Sequence, residues 1–93
     1  MDYLFILQPS EKSIITDLII EFKKLPKEEL VENYNNAVSL GIVGSRAQAQ
    51  RLIALNVTFN STFSSSPIKI IDNMLIRLTE KIELIGNEWQ YQK

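Results

Sequence analysis

The 93-residue chain is 45% hydrophobic and 23% charged, with 10 basic against 11 acidic side chains and a formal net charge of -1. That is the profile of a single globular domain over 1–93, without the basic excess that binding to nucleic acid or anionic lipid draws on. Having no cysteine and no histidine, the chain cannot form disulfides, zinc–thiolate sites or cysteine nucleophiles, and it lacks both the commonest metal ligand and the usual general base at neutral pH. No metal, cofactor or enzymatic role is expected.

From the start of the chain, the apolar run Tyr3–Leu7 is far short of the roughly 20 residues that a membrane span needs. Asp2 stands where a signal peptide carries positive charge, so a cytoplasmic protein is expected, with Asp2 to Leu7 an apolar arm or a strand. Pro9 and Ser10 then offer a helix start. Ile14, Ile15, Leu18, Ile19, Phe22 and Leu25 follow within about 140° of arc, predicting a helix over about 10–25. Pro26 cannot donate its backbone N–H and suits a first helical position, so Leu25-Pro26 reads as a corner.

A second helix over 27–40 places Leu30, Val31, Tyr34, Ala37 and Val38 inward and stops at Gly41. Ser45 with Gln48 makes a capping box for a third helix over 45–60, with Ala49, Leu52, Ile53, Leu55, Asn56, Phe59 and Phe63 facing in. The stretch Val57–Phe63 is rich in β-branched and aromatic residues and also alternates as a strand would. Asn56-Val57-Thr58 and Asn60-Ser61-Thr62 match the glycosylation sequon and are expected to go unused without an export signal.

Ser66 and Pro67 read as N-cap and first residue of a fourth helix over 67–86 or beyond. Its seam of Ile68, Ile71, Leu75, Leu78, Ile82, Ile85 and Trp89 is spaced alternately by three and four residues. The expected fold is therefore all-α, an antiparallel four-helix bundle. The alternative is α+β, with two short strands at about 2–7 and 57–63.

On the bundle frame Ile20, Ile70, Ile76 and Leu84 fall off the seams, with Met74 on a flank, and aromatic anchors stand near the end at Trp89 and Tyr91. The leading expectation is a non-enzymatic interaction or regulatory module. It would self-associate, with a dimer favoured, or bind a protein partner through Ile70, Ile76, Leu84, Trp89 and Tyr91. The carboxylate pairs Asp17/Glu21 and Glu80/Glu83 have lysines nearby and read as solvated, salt-bridged faces.

A second pattern runs over 37–51. Ala37, Leu40, Gly41, Ile42 and Ser45 fall where a helix-turn-helix places its small residue, apolar residue, turn glycine, second apolar residue and helix start. Over about 20 residues the segment resembles the helix-turn-helix units of phage repressors. The resemblance implies a DNA-binding regulator whose recognition helix presents Arg46, Gln48, Gln50 and Arg51 to base edges. Against it, the motif needs Ala47, Gln50 and Ala54 inward, which turns Leu52, Ile53 and Leu55 toward solvent. Binding to nucleic acid is thus the second reading, and no membrane association is expected.

Overall fold

The computed structural model describes residues 2–4, 8–41, 46–71 and 75–92, and three α-helices form where the apolar stripes of the first 62 residues predict them. A 3-10 turn at Pro9–Glu11 leads into α1 (Lys12–Lys23), which buries Ile15 and Phe22 and leaves Leu18 and Ile19 half-buried. Leu25 N donates to Phe22 O at 3.0 Å, and Pro26, in extended conformation, caps α2 (Lys27–Leu40). Helix α2 ends at Gly41, where a φ of 75° closes the last turn with the N–H donating to Ala37 O at 2.8 Å. The expected cap at Ser45 lies outside the described residues, as does the flanking Met74.

Helix α3 (Arg46–Thr62) carries straight through the stretch that also alternates as a strand, so a strand at 57–63 is corrected to helix. The reason is local. Thr58 Oγ1 donates to Ala54 O at 2.9 Å, a bond that only helical spacing allows. Phe59 and Phe63, four residues apart, stack at 5.1 Å, and Tyr34 meets Phe59 edge-on at 6.3 Å. Ala54 and Thr58 are buried as well as Ala49, Leu52, Leu55 and Phe59, because α3 packs against α1, α2 and a sheet strand.

The fourth helix does not form, and with it the all-α bundle is overturned: the fold is α+β, with three helices and two small antiparallel sheets. Ser66 and Pro67 make a turn, with Ile68 N donating to Ser66 Oγ at 3.2 Å. Four strands follow: β2 (Lys69–Ile71), β3 (Leu75–Arg77), β4 (Ile82–Ile85) and β5 (Glu88–Tyr91). The N-terminal strand β1 (Asp2–Leu4) completes a sheet in the order β1-β3-β2, with Ile76 paired between Tyr3 and Ile70. Strands β4 and β5 form a hairpin around Gly86-Asn87, in which Gly86 takes a φ of 63° that a side chain would resist.

The burial period in this half is two residues. Ile68, Ile76, Leu78 and Ile82 are buried and Ile70 and Leu84 half-buried, while Lys69, Ile71, Arg77, Glu83 and Ile85 face out. After the hairpin turn the phase shifts and Trp89 and Tyr91 face in. The seam of threes and fours thus mixed both faces of a set of short strands.

Hydrogen bonds fasten the hairpin and the bend before it to α2 and to the segment after α3. Tyr34 OH donates to Glu80 O at 3.0 Å, Lys27 Nζ to Asn87 O at 2.8 Å, and Trp89 Nε1 to Ser65 O at 2.9 Å. Burial pushes the Tyr34 phenol above its usual pKa. Among the described residues no helix is long and apolar enough to cross a membrane.

Candidate functional site

Helix α3 packs far more extensively on α1 than on α2, and a cleft of about 240 Å³ lies between α2 and α3. Residues at helical spacing line it: Asn33, Asn36, Ala37 and Leu40 from α2 against Gln48, Arg51, Leu52 and Leu55 from α3. Phe22 of α1 completes the lining. Buried Ala37, Leu52, Leu55 and Phe22 make an apolar floor, and Leu40, 73% exposed, stands on the lip.

The polar groups of the cleft are three side-chain amides and the Arg51 guanidinium. Arg51 Nη2 donates to Asn33 Oδ1 at 3.2 Å, and the guanidinium carbon lies 5.3 Å from the centre of the Phe22 ring. These contacts hold a permanent cation over the apolar floor. Arg51 is the charged group among the lining residues, and Glu29 and Glu32 stand one helical turn before Asn33 and Asn36 on α2. Amides donate and accept, and a guanidinium forks onto a carboxylate. None of the described lining groups is a nucleophile or a proton carrier near neutral pH, so what they can do chemically is bind.

The four side chains expected on a recognition helix are divided between different tasks. Arg46 forms an ion pair with Glu11, its Nε 3.1 Å from Oε2 and its Nη2 on Oε1. Gln50 Nε2 donates to the same carboxylate at 2.7 Å, and Gln8 N donates to it at 3.1 Å. The Glu11 carboxyl, 5% exposed as a residue, is lowered to about 2, first by the hydrogen bonds from Arg46 and Gln50, against the opposing effect of burial. Arg51 and Gln48 line the cleft instead. Leu52 and Leu55 are buried and Ala47 is exposed, the reverse of what the helix-turn-helix register asks, although Ala54 does face in. The turn at 42–45 lies outside the described residues.

The residues expected to form a partner surface do not share one face. Ile76 is 1% exposed at the centre of its sheet and belongs to the core. Ile70, Leu84, Trp89 and Tyr91 are half-buried and pack against that core from two different sheets. Of the carboxylate pairs, Asp17 and Glu21 are exposed on α1, with Glu21 3.5 Å from Lys24, while Glu80 lies in a turn and Glu83 on β4.

Sequence reasoning missed Phe22, Asn33, Asn36 and Leu40 as cleft residues. The available signal was a pair of polar residues three apart on each of two neighbouring helices, Asn33/Asn36 and Gln48/Arg51, joined by a short connection. Comparison of the chain with protein families, curated proteins and solved structures gives no match.

Proposed function

We propose that the protein is a non-enzymatic interaction module that holds a protein segment in the cleft between α2 and α3. The observation that carries this reading is the cleft itself: an apolar floor rimmed by three amides and a guanidinium, with no acidic residue in its lining. At about 240 Å³ it is smaller than the roughly 300 to 1,000 Å³ of drug-sized ligand sites, and suits one or two side chains of a partner. The chemistry it complements is an aliphatic side chain next to a carboxylate. The DNA-binding alternative has less support, since Glu11 engages Arg46 and Gln50.

A photoreactive residue in place of Leu40, irradiated in lysate of the source cell, tests the reading. Adducts should form, vanish with the added change Arg51→Glu, and persist with the control change Lys69→Glu. Adducts indifferent to Arg51→Glu, with helical content unchanged, overturn it.

A further inference from the structure

We infer that the segment held in the cleft is the free C-terminal end of a partner chain that finishes in an aliphatic residue, an inference that rests on the cleft being a docking site. The floor of Phe22, Ala37, Leu52 and Leu55 is buried, and the Arg51 guanidinium carbon lies 5.3 Å from the centre of the Phe22 ring. An occupant that uses both must therefore carry its carboxylate directly beside its aliphatic group. At a chain end the two sit on one Cα. Within a helix, neighbouring side chains on one face start about 5 to 6 Å apart, and within a strand adjacent ones point to opposite faces. At about 240 Å³ the cleft suits one such terminal residue.

The donors match as well. Arg51 gives an Nη2 hydrogen to Asn33 Oδ1 at 3.2 Å, and a guanidinium has five N–H groups, of which a carboxylate takes two in fork geometry. Asn33 is itself fixed by its Nδ2 donating to Glu29 O at 2.7 Å. The cation is thus braced by an oriented amide on one helix and a buried ring on another. Asn36 and Gln48 add side-chain amides to the same lining, with the donor and acceptor types that the last peptide unit of a partner calls for.

The lining also favours a chain end over a free amino acid. A free amino acid brings an α-ammonium group, and no acidic residue stands in the described lining to meet it. In the last residue of a chain that nitrogen is a neutral peptide N–H. Glu29 and Glu32, exposed one turn away on α2, disfavour a partner with a second acid next to its terminal carboxylate. The matching end is a lone carboxylate on an aliphatic residue, preceded by neutral or basic ones.

Nuclear magnetic resonance titration of the isotope-labelled intact chain with the peptide acetyl-Gly-Ser-Gly-Leu tests this. The free acid should shift the Arg51 Nε–H signal and the Asn36 and Gln48 side-chain amides in a saturable way at millimolar concentration. The same peptide with an amidated end, or with Ser as its last residue, should bind about tenfold or more weakly. Arg51→Gln, which removes the charge from an exposed side chain, should weaken the free acid by a similar factor and leave the amidated peptide unaffected, with circular dichroism confirming its fold. Acetyl-leucine should bind more tightly than free leucine.

Cleft signals that stay unmoved by the free acid overturn the inference, as do acid and amide forms that bind alike or a preference for the acid that survives Arg51→Gln. Free leucine binding as tightly as acetyl-leucine also overturns it, since the occupant is then a small molecule. The cleft reading fails separately. If Leu40 cross-links to a protein in an Arg51-dependent way while the free-acid peptide leaves the cleft signals unmoved, only the chain end is wrong as the occupant.

Discussion

Asn35 and Ile82 exchange two hydrogen bonds across 47 residues of chain: Asn35 Nδ2 donates to the Ile82 carbonyl at 2.8 Å, and Ile82 N donates to Asn35 Oδ1 at 2.8 Å. A side-chain amide carries the same donor and acceptor as a peptide unit, so Asn35 serves the first residue of β4 as a strand partner would. With Tyr34 bonded to Glu80 O on the preceding turn, α2 and the hairpin are held in one register. The helix that bears one wall of the cleft is therefore anchored through Tyr34 and Asn35 by polar contacts.

Asn35→Ala should cost about 1 to 3 kcal/mol, because it leaves the Ile82 N–H without its acceptor. The carbonyl keeps a second donor, Gln92 Nε2 at 3.0 Å, so the loss falls on the N–H side. Chemical denaturation measures the total, and amide exchange at Ile82 should accelerate more than exchange in α3. Unchanged stability in the Ala variant would mean that the clamp contributes nothing.

Glu11 gives the fold an acid-sensitive joint between the start of α1 and α3. Its carboxyl has a folded-state pKa of about 2, below an ordinary value of 4.5, with the hydrogen bonds from Arg46 and Gln50 the main causes. A depressed pKa stabilises the fold above the unfolded value, and that stability is lost as pH falls from about 4.5 toward 2. Melting temperatures measured at steps down that range should fall for the wild type. Glu11→Gln should be less stable at pH 7 and vary less across the same window. Parallel curves for the two proteins would remove Glu11 from the pH response.

The three helices were legible because independent local signals coincide: Pro26 and Gly41 bound α2, and Leu30, Val31, Tyr34 and Ala37 repeat at its period. The second half was not, because a run of isoleucines and leucines can satisfy two periods at once. Ile68, Leu78 and Ile82 are inward on either reading; what separates strand from helix is that Ile71 and Ile85 on the seam face out, while Ile70, Ile76 and Leu84 off it pack inward. The residues that could have decided are Gly86 and Asn87, a two-residue hairpin signal in the middle of the supposed last turns, together with the density of β-branched isoleucine. The cleft was hidden for another reason. It depends on how α2 packs against α3, which tertiary contacts set and no single helix encodes.

Affinity for random duplex DNA should be negligible at physiological salt. Arg46 is neutralised by Glu11, Arg51 sits on Phe22 and Asn33, and the net charge is -1, so few phosphates can be met. Fluorescence anisotropy with a labelled duplex checks this. Micromolar, salt-sensitive binding that falls with Arg51→Ala would restore the recognition-helix reading.

Ile76 and Ile85 provide the sharpest test of the fold, because helix and strand frames rank them in opposite order. On a fourth helix Ile85 lies in the buried seam and Ile76 outside it. In the sheets Ile76 is 1% exposed on the central strand β3, whereas Ile85 is 52% exposed at the end of β4. Ile76→Ala should therefore destabilise by about 2 to 5 kcal/mol through lost burial and the cavity it leaves. Ile85→Ala should stay within about 0.5 kcal/mol, as surface changes usually do. Ile76→Lys should lose the cooperative melt altogether, since it puts a charge among Ile68, Leu78 and Ile82 with no partner, while Ile85→Lys keeps it. Denaturant titration of the two alanine variants gives both numbers, and a larger loss at Ile85 than at Ile76 would return the chain to the bundle.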